Sequence, residues 1–458
     1  MINPVIFRQY DIRGVWEKEL TPLVVEQLGR GFASYLLKRL DRQTAKISVG
    51  WDARLHSPAI RDSLVKGVTG SGIDVVDLGM CPTPLQYYSL HTLSVDGGVM
   101  ITGSHNPPEF NGFKLSVGTT TIFGEAIQEI RRIIDAGDFI SGSGTYEQYP
   151  VIGAYIDFVK EMFDSFRGIK VVVDAGNGTG GLVAPKIMRA LGAEVTELYC
   201  EPDGRFPNHH PDPTLEESLA DLITTVRGKR AHVGIGYDGD ADRIGVVDEE
   251  GAIIWGDKLM IIFSRDILKD NPGARIIGEV KCSQTLYDDI AAHGGVPVMW
   301  KTGHSLIKEK MKQEHALLAG EMSGHLFFKH RYLGYDDAVY ASLRLLEVIK
   351  KGGEPYGTKA LLRNVPPVVA TPEIRFDCPD DIKFKIVDKA QKAFDDYESI
   401  TIDGIRIKFP DGWALIRASN TQPVLVLRFE APDEPRLAEI RSIVETRLSR
   451  IIKESGIV

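Results

Sequence analysis

The sequence holds no run approaching the roughly eighteen apolar residues that a membrane-spanning helix requires. Its four cysteines, Cys81, Cys200, Cys282 and Cys378, lie far apart, with no C-x-x-C pair and no zinc-ligand spacing among them. That excludes a disulfide framework and argues for a reducing compartment. The opening stretch MINPVIFRQYDIRG has no long apolar core and brings Arg8, Asp11 and Arg13 in quick succession, unlike a secretory signal. Nor is there an excess of positive charge. A formal net charge of −9 speaks against a general nucleic-acid binder, while leaving room for a small anion held in a local basic pocket. What is present is an ordinary globular composition, 43% hydrophobic and 26% charged over 458 residues, enough for about three domains by length. The expectation is a cytoplasmic protein with neither a membrane nor a nucleic-acid partner.

A pattern recurs along the chain. KISVGWDAR (46–54), IKVVVDAGNG (169–178) and ARIIGEVKC (274–282) are strand-like runs. Each is followed by a turn, an amphipathic helix, a glycine and a second apolar run, the signature of a βαβ unit in a mixed or parallel sheet. After RNVPPVVATPE (363–373) the pattern changes. ITIDGIRIKF, GWALIRASN and PVLVLRFEA read as strands, and a helical EPRLAEIRSIVETRLSRIIKES closes the chain. The fold class predicted is α/β: three similar mixed-sheet domains (1–150, 151–253, 254–366) and a smaller α+β C-terminal domain (367–458). Active sites favour domain junctions, so four domains predict one central cleft.

Six stretches carry chemistry. In VMITGSHNPPEFNGFKLSV (99–117), Ser104 stands on a Gly/Pro-framed loop between two strands, with His105 beside it and Lys114 ten residues on. A hairpin turn and a nucleophile loop both use these residues. In DGDADR (238–243), Asp238, Asp240 and Asp242 alternate directly after a strand, so on an extended backbone all three carboxylates share a face. Three such charges repel unless a cation sits among them, and hard oxygen ligands suit Mg²⁺. An EF-hand reading fails because Arg243 stands where that loop requires glycine. DAGNGTGG (174–181) matches G-x-G-x-x-G at Gly176, Gly178 and Gly181 and supports a competing reading, a nucleotide-dependent dehydrogenase. In KTGHS (301–305) and GEMSGH (320–325), His304, Glu321, Ser323 and His325 lie on glycine-flanked turns. On an extended segment the last three face one ligand, and alternating donors and acceptors suit sugar hydroxyls. In RASNTQP (417–423), Arg417, Ser419, Asn420 and Thr421 offer a guanidinium fork, hydroxyls and turn N–H groups to a phosphate. Together with the cations Arg8, Lys114 and Arg243, a metal site beside a serine and a distal phosphate cradle point to phosphoryl transfer.

FRQYDIRG, TGSHNPPEFNGFK, DGDADR, TGHS, GEMSGH and RASNTQP occur in the order found in α-D-phosphohexomutases, and the chain resembles the phosphomannomutase/phosphoglucomutase branch from Arg8 to Pro423. The resemblance implies that Ser104 is carried as phosphoserine. It implies Mg²⁺ on Asp238, Asp240, Asp242 and a phosphoserine oxygen, and hexose phosphates as substrates. Transfer runs through a bound 1,6-bisphosphate, which also serves as activator. Arg8, Lys114 and Arg243 then surround the transferring group, and Lys114 or His325 handles the hydroxyl proton. His304, Glu321, Ser323 and His325 meet the sugar, while Arg417, Ser419, Asn420 and Thr421 hold the idle phosphate. A monomer or homodimer is compatible with this branch. Phosphoglucosamine mutase is the nearest alternative, although its typical F-G-T-D-G-I-R-G opening is not the one found. Gly103 stands where many relatives carry alanine, which predicts a looser serine loop.

Overall fold

The computed structural model describes residues 2–420 and 422–455. Among them the strands form four sheets. The first runs, edge to edge, Ile12–Val15, Phe110–Val117, Gly97–Ile101, Ala45–Trp51, Ile73–Met80 and Tyr146–Gln148, with Thr120–Thr121 paired to Phe110–Val117. The second runs Ile253–Ile254, Ile244–Asp248, Val233–Tyr237, Lys170–Asp174, Glu194–Leu198. The third runs Val296–Trp300, Arg275–Glu279, Leu318–Gly320, Leu326–Phe328. These three share one plan. A central strand pairs in parallel with two neighbours, and the second neighbour turns back in an antiparallel hairpin. Those hairpin loops, 102–109, 238–243 and 321–325, follow the carboxyl ends of parallel strands, where ligands gather in α/β sheets.

The central strands are apolar on both faces, as in Val171, Val172 and Val173, because helices cover both sides. The helix Glu125–Ala136 buries Ile127, Ile130, Ile133 and Ile134 on one stripe and ends at Gly137, whose φ of 64° makes the left-handed cap. One apolar core extends from Val76 and Tyr87 through Tyr155, Val173 and Ile235 to Phe328 and Leu345, so the first three sheets are welded together. The fourth sheet is antiparallel and has its own core around Ile416, Leu427 and Phe429. A small cluster of Val280, Trp413 and Leu415 joins it to the third. ITIDGIRIKF is two strands rather than one: Ser399–Ile400 and Ile405–Phe409 fold back on each other around Gly404, whose φ is 80°.

Candidate active site

Ser104 is 2% exposed and sits at φ 48°, a left-handed conformation in a non-glycine residue. Its neighbours hold it there. The Ser104 N–H donates to Thr102 Oγ1 at 2.8 Å, and its carbonyl accepts from Arg54 Nη2 at 2.9 Å. Arg54 is fully buried and also donates to the carbonyls of Asn106, Pro107 and Phe110, while Asp52 takes the Gly103 N–H at 2.9 Å and the Arg54 Nε–H at 3.2 Å. A Cβ on Gly103 would lie 2.3 Å from Arg54 Nε. The glycine therefore makes the loop tighter, not looser, since it admits the guanidinium that ties the loop down.

Ser104 Oγ donates to Asp238 Oδ2 at 2.8 Å and lies 3.2 Å from His105 Nδ1. Asp238, Asp240 and Asp242 are wholly buried, with ligand oxygens all within 4.8 Å of one another. They converge because residues 238–243 form a tight hairpin turn with Ala241 at φ 55°, not by alternation on an extended strand. Lys114 Nζ bridges two of them, at 2.8 Å from Asp240 Oδ2 and in closer contact with Asp242 Oδ2. Burial opposes its charge, but Asp240 and Asp242 outweigh that and hold Lys114 well above its ordinary pKa. Burial pushes the carboxyl of Asp238 up, and its two acidic neighbours add to the effect. Thus Lys114 reaches two of the three carboxylates, and Asp240 Oδ1 and Asp242 Oδ1 are buried without a hydrogen-bond partner. Oxygen-only donors with an unmet need for positive charge fit a divalent cation such as Mg²⁺.

The metal loop is the hub of the cleft. Its Gly239 backs onto the serine loop, where a Cβ would come within 2.5 Å of the Ser104 carbonyl. Gly324 of the third sheet's loop approaches Ile244 as closely, its Cβ position 2.3 Å from the Ile244 carbonyl. Gly324 and Ile244 also share a 3.1 Å backbone bond. Arg243 is half-buried among Asp212, Asp238, Asp242 and Glu321, which together overcome desolvation and raise its pKa, and its Nε donates to His325 Nε2 at 2.9 Å. Residues 321–324 are a turn, so Glu321, Ser323 and His325 do not line one extended face. Instead Glu321 Oε1 accepts the Gly303 N–H at 2.7 Å, Ser323 Oγ donates to Glu321 Oε2 at 3.0 Å, and His325 stacks on His304 at 5.8 Å. The carboxylate thereby pins the TGHS and GEMSGH turns together.

From the C-terminal domain, Arg417 is paired to Asp403 at 3.1 Å, Ser419 takes the Gln422 N–H on its Oγ at 3.2 Å, and Asn420 Nδ2 donates to Tyr10 OH at 2.6 Å. Tyr10 OH in turn donates to Thr302 O at 2.9 Å, so one hydroxyl links three domains. Thr421, expected in the same cradle, lies outside the described residues. Arg8 lies 4.0 Å from Asp380 of the C-terminal domain. The arginine of that opening at the serine loop is Arg13, which donates to Asn106 Oδ1 at 3.1 Å and to Asp11 at 2.8 Å. Sequence reasoning also passed over Tyr10, Arg54 and Asp403. Tyr10 and Arg54 stood in stretches read only as an opening and as a strand-like run, and Asp403 in one read as a single strand.

The glycine fingerprint of the dehydrogenase reading is spent on packing. The N–H groups of Gly176, Asn177, Gly178 and Thr179 go to Asp174, Tyr199, Ala175 and Gly239, and a Cβ on Gly178 or Gly181 would lie 2.6 Å from Gly239 O or 2.0 Å from Cys200 O. Those four donors are thereby turned inward, away from any pyrophosphate.

Three α/β domains and a lid-like fourth, each lending one loop to a common cleft floored by a serine and carboxylates, define a class of protein suited to phosphoryl transfer on small ligands. The chain belongs to the phosphoglucomutase/phosphomannomutase family: its alpha/beta/alpha domains I, II and III match residues 4–141, 153–251 and 255–364, and its C-terminal domain matches 373–446. Among curated relatives, a phosphomannomutase/phosphoglucomutase of Pseudomonas aeruginosa is 45% identical over 448 residues, 97% of this chain and 96% of that one. A phosphoglucomutase of Neisseria gonorrhoeae is 44% identical, covering 95% of each. The crystal structure of a phosphoglucomutase/phosphomannomutase family protein from Burkholderia thailandensis superposes with a TM-score of 0.91 at 42% identity, over 100% of this chain and 98% of that one.

Proposed function

We propose that this protein is a phosphohexomutase that moves a phosphoryl group between the 1- and 6-positions of glucose and mannose, with Ser104 as carrier. The observation that bears most weight is Ser104 Oγ held 2.8 Å from Asp238 in a three-carboxylate cluster. The arginine cradle at Arg417 stands apart from it, on another domain. A substrate with two phosphate positions needs such a pair of sites, one reactive and one that grips the idle phosphate.

In this reading Asp238, Asp240, Asp242 and an oxygen of phosphorylated Ser104 hold Mg²⁺, which when bound neutralises charge building on the transferring group. Arg243 and Lys114 add fixed positive charge, and Arg13 braces the loop through Asn106. The bond from phosphorus to Ser104 Oγ breaks as the bond to the sugar oxygen forms, and the hydroxyl proton passes to a base. Lys114, clamped between two carboxylates, is an ammonium without a lone pair, whereas His325 Nε2 has one, engaged here by Arg243 Nε–H until that guanidinium turns to the substrate. Glu321, Ser323 and His304 meet the sugar, and Arg417, Ser419, Asn420 and Thr421 the second phosphate. A hexose 1,6-bisphosphate acts as intermediate and activator. Every group named comes from one chain, which suits a monomer or a homodimer. Among the described residues no helix is long and apolar enough to cross a membrane, and a cytoplasmic site of action fits sugar-phosphate substrates.

A phosphorus NMR time course tests this. Protein with Mg²⁺ and a trace of glucose 1,6-bisphosphate is given glucose 1-phosphate and mannose 1-phosphate separately. Both 6-phosphates are expected, and neither from Ser104→Ala. Turnover of glucosamine 1-phosphate alone would move the assignment to phosphoglucosamine mutase, and no turnover at all would refute it.

A further inference from the structure

Asp403 is a carboxylate of the fourth domain that the chemistry so far leaves unused. It stands on the turn between the strands Ser399–Ile400 and Ile405–Phe409, and Gly404 beside it decides where that turn lies. A Cβ on Gly404 would fall 2.3 Å from the Ile416 carbonyl and 2.7 Å from Arg417 Cβ, at a φ of 80° that side chains rarely adopt. The turn therefore lies directly against the strand Gly412–Ala418, which carries Arg417. Gln391, from the helix Lys383–Ala393, pins it there, its Nε2 donating to the Gly404 carbonyl at 3.0 Å.

A single oxygen of Asp403 gathers three donors. Its Oδ2 accepts from Arg417 Nε at 3.2 Å, lies 3.1 Å from Arg417 Nη2, and accepts the Thr302 N–H at 3.0 Å. Arg417 belongs to the fourth domain and Thr302 to the third, so this oxygen spans the junction between them. Burial opposes the charge of Arg417, and Asp403 is foremost among the groups that outweigh it. A guanidinium carries five N–H donors on a rigid plane. Its side edge, Nε with one Nη2 hydrogen, is taken by Asp403. No hydrogen bond joins Nη1 to another described residue, so the end of the fork, Nη1 with the second Nη2 hydrogen, is left to take two oxygens of a phosphate. We infer that Asp403 is a positioning residue for the idle phosphate: its Oδ2 fixes the side edge of Arg417, leaves the end of the fork for phosphate, and through the Thr302 N–H sets that fork against the sugar turns of the third domain. The role rests on the phosphohexomutase reading. What the contact contributes is the ordering of a long side chain before the ligand arrives. The idle phosphate takes no part in the bond changes, so the effect falls on KM rather than on kcat.

Two variants and one spectrum test this. Asp403→Ala removes the oxygen, whereas Asp403→Asn keeps an uncharged acceptor of the same size in its place. With glucose 1-phosphate, KM of Asp403→Ala is expected to rise about tenfold or more, with kcat within about threefold of the parent. Asp403→Asn is expected to stay within about threefold of the parent in both. The spectrum needs no change at Asp403. In ¹⁵N-arginine-labelled parent protein, with Arg417→Lys for assignment, the Arg417 Nε–H is expected to stay slow to exchange when glucose 6-phosphate is added to saturation, because Asp403 keeps the side edge. Loss of that protection on binding would overturn the proposal. So would an Asp403→Ala enzyme whose KM stays within about threefold of the parent or falls, the latter making Asp403 a competitor of the phosphate. A lowered kcat at unchanged KM, or an Asp403→Asn enzyme as weak as Asp403→Ala, would also contradict it. Failure of the mutase reading shows separately, as a parent without turnover.

Discussion

At the scale of single residues, the cleft depends on side chains that never meet a ligand. Arg54 binds four carbonyls of the serine loop, and only a planar fork with five donors can do that from one buried position. Arg54→Lys keeps the charge but loses the fork, and we expect kcat to fall on the order of 100-fold while the fold survives, since small misplacements of a reacting group cost that much. A steady-state assay beside a thermal melt checks it, and unchanged kcat would show that the loop stands by itself. Ser104 and the three aspartates stood out in the sequence as reactive residue types framed by glycine, and Arg417 as a guanidinium at the mouth of a polar turn. Arg54 and Asp403 did not. Their importance lies in what they touch across 50 residues or from another sheet, and spacing along the chain carries no trace of that.

Among elements, the instructive feature is that the serine, metal and sugar loops are one loop three times over, each the hairpin after a parallel strand. The βαβ periodicity was legible, yet this equivalence was not, because the hairpin loops 102–109, 238–243 and 321–325 differ in length. The same limit explains why Asp238–Asp242 and Glu321–His325 read as extended runs. Alternation along a strand and a tight turn can bring the same residues together, and residue identity does not separate them. The fourth loop closes through Tyr10, whose hydroxyl joins Thr302 to Asn420. Tyr10→Phe removes two hydrogen bonds across the closed cleft while leaving the ring in place. An increase of about three- to tenfold in KM, with kcat little changed, is the expected result in substrate titrations.

For the whole molecule, the first three domains share a core, while the fourth is joined by a narrow polar and aromatic hinge. Arg406 is buried against the Trp413 ring, 3.7 Å from its centroid, and donates to the carbonyls of Val280 and Cys282. Nearby, Lys281 pairs with Glu373 at 2.6 Å and, acting against burial, draws the Glu373 carboxyl down from 4.5 to about 2. A depressed carboxylate stabilises the folded state above its ordinary pKa and loses that contribution as pH falls through the lowered value. Glu373→Gln should therefore destabilise the protein at pH 7 by at most about 3 kcal/mol, a gap that closes between pH 4.5 and pH 2. Denaturant titrations across that range check it, and a gap independent of pH would contradict the assignment.

The central claim is that Ser104 carries the phosphoryl group, and peptide mass spectrometry after incubation with Mg²⁺ and glucose 1,6-bisphosphate tests it most directly. The account predicts one added phosphoryl group on the peptide containing Ser104, removed again when glucose 1-phosphate is supplied in excess. Phosphate found on another residue, or an unmodified Ser104 in protein that turns over substrate, would contradict it.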